Sequence, residues 1–146
     1  MKTFKLDAIK GTGREAMMKE VMTLRKLEHP NIVQLFECYE YNNQFSIVVD
    51  LCTGGELFDK LYTGGALRDA DAATVIRCLL QALAHCHAQK VMHRDIKPEN
   101  VLLEEGQGFG TVKLADFGSA HWLTEGELAS GLVGTPYYVA PEVVRS

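Results

Sequence analysis

No stretch of this sequence approaches the roughly 18 consecutive apolar residues that a helix needs to cross a bilayer, so nothing in it reads as a membrane span. The opening residues, MKTFKLDAIK, contain no continuous apolar core, and a secretory signal is not expected there. There is no C-x-x-C pair: Cys38, Cys52, Cys78 and Cys86 fall singly inside apolar segments, and no cysteine–histidine set has zinc spacing. Free, mostly buried thiols in a reducing compartment are the simplest reading. Excess positive charge is also lacking. With 15 Lys and Arg against 19 Asp and Glu, the net charge of −4 suggests neither nucleic acid nor an anionic membrane as a partner. Internal repeats and low-complexity segments are missing too. These absences together predict a soluble cytoplasmic protein, with the nucleus as an alternative.

What is present is an ordinary globular composition, 47% apolar over 146 residues. That length suits one domain with room for two small lobes. Residues 2–9 alternate, with Phe4, Leu6 and Ala8 on one face of a predicted strand. Residues 14–28 carry Met17, Val21, Leu24 and Leu27 at helical intervals, and Pro30 stops that helix. Strands are predicted over 32–41 and 44–52, joined by Asn42-Asn43, a two-residue turn of types that tolerate positive φ. A short helix follows Gly54-Gly55 and ends at Gly64-Gly65. The longest helix is expected over 69–88, with Ala72, Val75, Ile76, Leu79, Leu80, Leu83 and Cys86 on one side. VLL at 101–103 and TVKLA at 111–115 read as a small hairpin across a turn containing Gly106, Gly108 and Gly110. Beyond residue 118 periodicity disappears until Pro141, a length of loop that is usually functional or disordered.

The densest chemistry lies in residues 93–103, HRDIKPENVLL, which set Asp95, Lys97, Glu99 and Asn100 within a few positions. The residue before Pro98 is pushed to extended geometry, so this is a rigid loop leading into a strand. Loops held on a scaffold are where chemistry tends to sit. Farther on, Asp116-Phe117-Gly118 follows an apolar strand, placing a carboxylate at a strand end. Asn100 and Asp116 supply the oxygen donors that hard Mg²⁺ accepts alongside substrate phosphates. Asp95 could then take a proton from an attacking hydroxyl, and Lys97 could offset charge on a moving phosphoryl group.

HRDIKPEN (93–100), DFG (116–118) and APE (140–142) stand in the order and approximate spacing of eukaryotic protein kinases, and the chain resembles that family over nearly its whole length. VMTLRKLEHPNIVQLFE (21–37), IVVDLCTGGELFDKL (47–61) and GTPYYVAPEV (134–143) extend the resemblance. ADFGSA with GTPYYVAPEV is most similar to the calcium/calmodulin-dependent group, particularly plant-type calcium-dependent kinases. The resemblance implies an α+β, two-lobe kinase fold, truncated at both ends, with 1–52 the small-lobe remainder and 53–146 the hinge and start of the large lobe. It implies ATP and Mg²⁺, and serine/threonine transfer, since Thr135 would bridge Asp95 and Lys97. Asp95 would be the base, Lys97 the phosphate-facing cation, and Asn100 and Asp116 the metal ligands. Glu20 would pair with the ATP-binding lysine, Val49 would guard the adenine pocket, and Asp50 and Cys52 would present backbone groups to adenine. Glu56 would approach the ribose, Leu102 would floor the pocket, and Leu24, Leu35, His93 and Phe117 would stack as an apolar spine. Glu56 with Glu99 would favour protein substrates with basic residues upstream of the hydroxyl. Arg94 would pair with a phosphate or acid, Glu125 or Glu127 among them, and Thr124 or Ser130 could accept phosphate.

Ala8-Ile9-Lys10 looks like the family's lysine motif but leaves too little chain before Glu20 to end a strand, turn and climb a helix, so Lys2 is the preferred lysine. Residues 11–16 fit G-x-G-x-x-A in a strand-to-helix setting, yet no second parallel strand ending in an acid follows, and a dinucleotide site is not expected. His85 and His87 read as capping or surface residues. These residues contain no G-x-G-x-x-G phosphate loop before the lysine, and they stop just past 142. A partial kinase domain with weak Mg-ATP binding and negligible transfer is therefore expected, the alternative being a non-catalytic module that acts by protein binding. Helix 69–88 would then leave apolar surface exposed.

Overall fold

The computed structural model describes residues 1–6, 12–104, 108–124, 126, 131 and 133–145. Strand β1 (Lys2–Lys5) leads to helix α1 (Thr12–Lys26), then to β2 (Leu35–Tyr41) and β3 (Gln44–Val49). Asn42 and Asn43 both take positive φ, 46° and 60°, which is what a tight turn matched to strand twist requires. Glu40 and Tyr41 accordingly pair with Phe45 and Gln44, and β1 adds antiparallel to the far side of β3 in the order β1-β3-β2. Met17, Val21 and Leu24 are the buried face of α1, with Glu15 in its first turn and Arg25 and Lys26 in its last, charges that suit the helix dipole.

The second half carries β4 (Gly55–Glu56), α2 (Leu57–Gly64), α3 (Asp69–Ala88), β5 (Val91–Met92), β6 (Val101–Leu103), β7 (Val112–Leu114), β8 (His121–Trp122) and α4 (Pro141–Arg145). The expected β6–β7 hairpin forms, and β4 joins it as a third strand, order β4-β6-β7. Gly54 allows this approach: a Cβ there would stand 2.6 Å from the Leu103 Cβ. Strands β5 and β8 make a separate antiparallel pair. One buried cluster runs from α1 through β3, α2 and α3 to β5, β6, β7 and Phe117, giving an α+β fold.

Several expectations need correction. Residues 32–34 are not strand: Ile32 makes a lone parallel bridge to Leu114, and Val33 N–H donates to Leu114 O at 3.0 Å, tying the sheet to β7. Strand β3 stops at Val49 because Asp50 turns back to Gln34, donating its N–H at 3.1 Å and accepting Gln34 N–H at 2.9 Å. Helix α1 ends at Lys26, earlier than Glu28. Helix α3 has the predicted limits, but its buried stripe is narrower: Val75, Leu79, Ala82 and Cys86. Ile76 and Leu80 are 55% and 60% exposed, one turn apart on the outer face. Strand β8 interrupts the stretch read as loop. The cysteines are free as expected, but only Cys86 is buried, the other three being half-buried. No helix among the described residues is long and apolar enough to cross a membrane.

Candidate active site

Three short hydrogen bonds organise the loop after β5. The Asp95 carboxylate accepts from Thr135 Oγ1 at 2.7 Å on one oxygen and pairs with Lys97 Nζ at 2.9 Å on the other. Lys97 Nζ also donates to Thr135 Oγ1 at 2.8 Å, closing a triangle across 40 residues of sequence. Asn100 donates its amide to the Asp95 backbone carbonyl at 2.8 Å and to the carboxylate at 3.2 Å. Its Nδ2 being committed, Asn100 has Oδ1 left as a ligand atom. Burial pushes the Asp95 carboxyl up, but the hydrogen bonds from Thr135, Lys97 and Asn100 outweigh it and hold it below the usual aspartate value. The Lys97 ammonium is raised by its bond to Asp95, so both groups stay ionised at neutral pH.

Backbone strain sits where the site is tightest. Arg94 (φ 69°) donates Nε to Ser119 O at 2.8 Å, and Asp116 (φ 59°) is held left-handed while its Oδ1 accepts Gly118 N–H at 3.2 Å. Gly134 has φ 118°, and a Cβ there would meet Arg94 O at 2.8 Å, so glycine is what lets Thr135 reach Asp95. Ala115 N–H donates to Asn100 O at 2.9 Å, which sets the segment bearing Asp116 beside Asn100.

Helix α1 completes this side. Lys2 Nζ, on β1, lies 3.8 Å from Glu20 Oε1. Burial raises the Glu20 carboxyl, Lys2 lowers it, and Asp116 raises it further. Lys10 lies outside the described residues, as do Gly11, Gly106, Glu125, Glu127 and Ser130. Around the connection, Val49 pairs with Leu35 and Glu56 with Leu102, all of them half-buried except Leu35, which is buried. Lys113 Nζ bridges Asp50 Oδ2 at 2.9 Å and Glu104 at 3.7 Å, stiffening the same connection. The half-buried Cys52 thiol is raised by burial and then by Asp50.

His93 is the hub beneath the loop. It is almost wholly buried, with Nδ1 accepting Asp95 N–H at 3.2 Å, which fixes Nε2 as donor to Ala115 O at 2.9 Å. Its ring meets Phe117 edge-on at 4.7 Å. Burial lowers the His93 pKa from its ordinary 6.5, so the fold favours the neutral ring. The unfolded ring titrates near 6.5, so this stability is complete above that pH. It erodes as pH falls below 6.5 and the unfolded state gains a proton, and the loss levels off below the folded pKa. Urea midpoints are therefore expected to drop between pH 7.5 and 5.5, by at most about 1.4 kcal/mol per pH unit for this group. The drop should shrink in His93→Gln. The remainder would come from groups such as His29, also lowered by burial and by His85. An equal drop in the variant would remove His93 as the source.

Two features of the site were not legible beforehand. Trp122, which donates Nε1–H to Thr23 Oγ1 at 2.9 Å, has no local pattern to announce it. Glu99 Oε2 is buried with no hydrogen-bond partner among the described residues, an orphan that only tertiary packing creates. No group of three His, Cys, Asp or Glu side chains converges as a metal site among the described residues. One amide oxygen, Asn100 Oδ1, and one carboxylate, Asp116, are the kind of sparse oxygen donors that suit Mg²⁺, which takes one or two protein carboxylates and completes its shell with phosphates and water.

The chain matches the family model for the protein kinase domain over residues 1–146. It is 37% identical over 131 residues to calcium-dependent protein kinase 5 of Plasmodium berghei (strain Anka), covering 90% of this chain and 23% of that protein. It is 42% identical over 132 residues to calcium-dependent protein kinase 14 of Arabidopsis thaliana, covering 90% and 25%. It is also 42% identical over 137 residues to calcium/calmodulin-dependent protein kinase type 1 of Macrobrachium nipponense, covering 94% and 39%. The chain thus spans between about a quarter and two-fifths of the length of these relatives.

Proposed function

The chain belongs to the protein kinase domain family, and on that premise we propose that it is catalytic core of a serine/threonine kinase that moves the γ-phosphoryl group of ATP to a protein hydroxyl. The observation that carries this reading is the Asp95–Lys97–Thr135 triangle with Asn100 behind it. Asp95, ionised at neutral pH, accepts and orients the substrate hydroxyl and receives its proton late, consistent with a loose transition state that asks for positioning. Lys97 faces the transferred phosphoryl group, and Thr135, bonded to both side chains, keeps the pair aimed. Mg²⁺, held by Asn100 Oδ1 and Asp116, would neutralise phosphate charge. Lys2, steadied by Glu20, would hold ATP phosphates. Val49, the backbone of Asp50 and Cys52, Glu56 and Leu102 would form the nucleoside pocket. The orphaned Glu99 oxygen supports a substrate preference for a basic side chain, which would satisfy it; residues 98–100 pack against β4 and α2, at whose start Glu56 stands. Free thiols and moderate negative charge support an intracellular, cytoplasmic setting.

Calorimetric titration tests this directly. Mg-ATP is expected to bind weakly and with clear dependence on Mg²⁺. Transfer to a serine peptide by these 146 residues is expected to be negligible, since they include no G-x-G-x-x-G phosphate loop. Absence of any binding at millimolar nucleotide, or equal binding in EDTA, would overturn the assignment.

A further inference from the structure

We propose that Trp122 is a positioning residue for the nucleotide site: it ties α1 to the strand after Asp116 and so holds Glu20 within reach of Lys2. The proposal deepens the kinase reading and rests on it for the role of the Lys2–Glu20 pair.

The tie is built from three contacts. Trp122 Nε1–H donates to Thr23 Oγ1 at 2.9 Å, and the Thr23 hydroxyl donates onward to Lys19 O at 2.8 Å. That hydroxyl is therefore used as both acceptor and donor, and it is fully buried. Each such bond polarises the next in a dry setting. The Lys26 ammonium sits 4.3 Å above the indole and also donates to Gln89 O at 3.1 Å, just beyond α3. Behind the ring, Trp122 pairs with Val91 in the β5–β8 ladder, and Leu123 N–H donates to Lys90 O at 2.7 Å. Trp122 thus joins α1 through its side chain and β5 through its backbone, while Lys26, in contact with the ring, reaches the end of α3.

Its place along α1 gives the tie its consequence. Thr23 lies three residues after Glu20, so both occupy neighbouring positions on one helical face. Glu20 also lies against the turn after Asp116: a Cβ on Gly118 would be 3.9 Å from Glu20 Oε2. The 3.8 Å Lys2–Glu20 pair joins an exposed lysine to a half-buried carboxylate, a weak link by itself. The depth and rotation of α1 must be fixed by something stiffer. The apolar stripe sets its depth, while the directional bond from Trp122 resists rotation.

Amide hydrogen exchange on the whole chain tests the tie without nucleotide. Trp122→Phe keeps an aromatic ring beside Lys26 but removes the donor together with part of the indole's contact area, so Thr23→Val, which leaves the indole intact, is read beside it. Exchange within α1 is expected to quicken about five- to tenfold, the effect of one lost bond on a local opening, while α3 is unchanged. Thr23→Val should match it, and Thr23→Ser, which keeps the hydroxyl, should restore slow exchange. Equal acceleration in α1 and α3, or none in α1, overturns the proposal. Mg-ATP titration adds a second readout: Trp122→Phe should weaken binding several-fold in the wild-type background and not at all in Glu20→Gln. A full loss persisting in Glu20→Gln also overturns it. If the unmutated chain binds no nucleotide, the kinase reading falls, and the exchange result alone decides whether Trp122 anchors α1. As the sole tryptophan, Trp122 also reports its own environment by fluorescence in the arms that retain it, Thr23→Val, Thr23→Ser and Glu20→Gln.

Discussion

Phe117→Ala is expected to cost about 3–5 kcal/mol of stability, the usual cost of removing a large aromatic from a closed core. Phe117 has no exposed surface and belongs to the single buried cluster that includes Met17, Val21 and Leu24 of α1. Its ring also takes the His93 edge at 4.7 Å, so truncation leaves a cavity beneath the loop that presents Asp95. Surroundings so tightly bound cannot collapse into the space: Asp116 before it is fixed left-handed, and Ala120 N–H after it donates to Phe117 O at 3.0 Å. Domains of this size commonly have about 5–15 kcal/mol in total, so much of the margin would go. The melting midpoint should fall by roughly 6–20 °C, taking about 2–4 °C per kcal/mol. Phe36→Ala is the control, because Phe36 is 63% exposed and its loss should stay within about 0.5 kcal/mol. Circular dichroism melts of the two variants that moved together would show that Phe117 is not the keystone its burial indicates.

The elements that could be read from sequence are those whose cause is local. Helix α3 has the expected limits because acids at Asp69 and Asp71 and histidines at its far end bracket an uninterrupted apolar repeat. The β2–β3 turn was legible because two asparagines tolerate the positive φ that it needs. Asp95, Lys97 and Asn100 announced themselves by density within one loop. Thr135 did not: nothing near it in the chain indicates a bond to Asp95, and its place rested on resemblance to a family. Strand β8 was invisible for a related reason, since two residues carry no period and pair only because β5 is there. The buried stripe on α3 is narrower than the apolar pattern because a run of apolar residues does not say which side meets the core. Ile76 and Leu80 point away from Val75 and Leu79, and that choice is made by packing. Trp122 and the orphaned Glu99 oxygen are the extreme case, the first defined by a partner 99 residues away and the second by packing that buries it without one.

Asp116→Asn is expected to abolish most of the Mg²⁺ dependence of nucleotide binding, by roughly tenfold or more, the scale on which metal-site partners affect affinity. The substitution keeps an oxygen to accept Gly118 N–H and removes only the charge, so the left-handed turn has no reason to open. It is thus cleaner than alanine, which would strip the side chain that steadies a strained φ. Asn100 cannot compensate, since its Nδ2 is committed to Asp95 and only its neutral Oδ1 remains for the ion. A neutral amide in place of the carboxylate leaves a cation with no anionic protein ligand, a poor site for hard Mg²⁺. A second readout follows from Glu20, whose carboxyl is raised in part by Asp116. Removing that charge should lower the Glu20 pKa, visible as a shift in its titration by carbon-detected NMR without any ligand. If Mg²⁺ still strengthened ATP binding as much in Asp116→Asn while Glu20 shifted as expected, Asp116 would be an electrostatic neighbour of Glu20 and not a metal ligand.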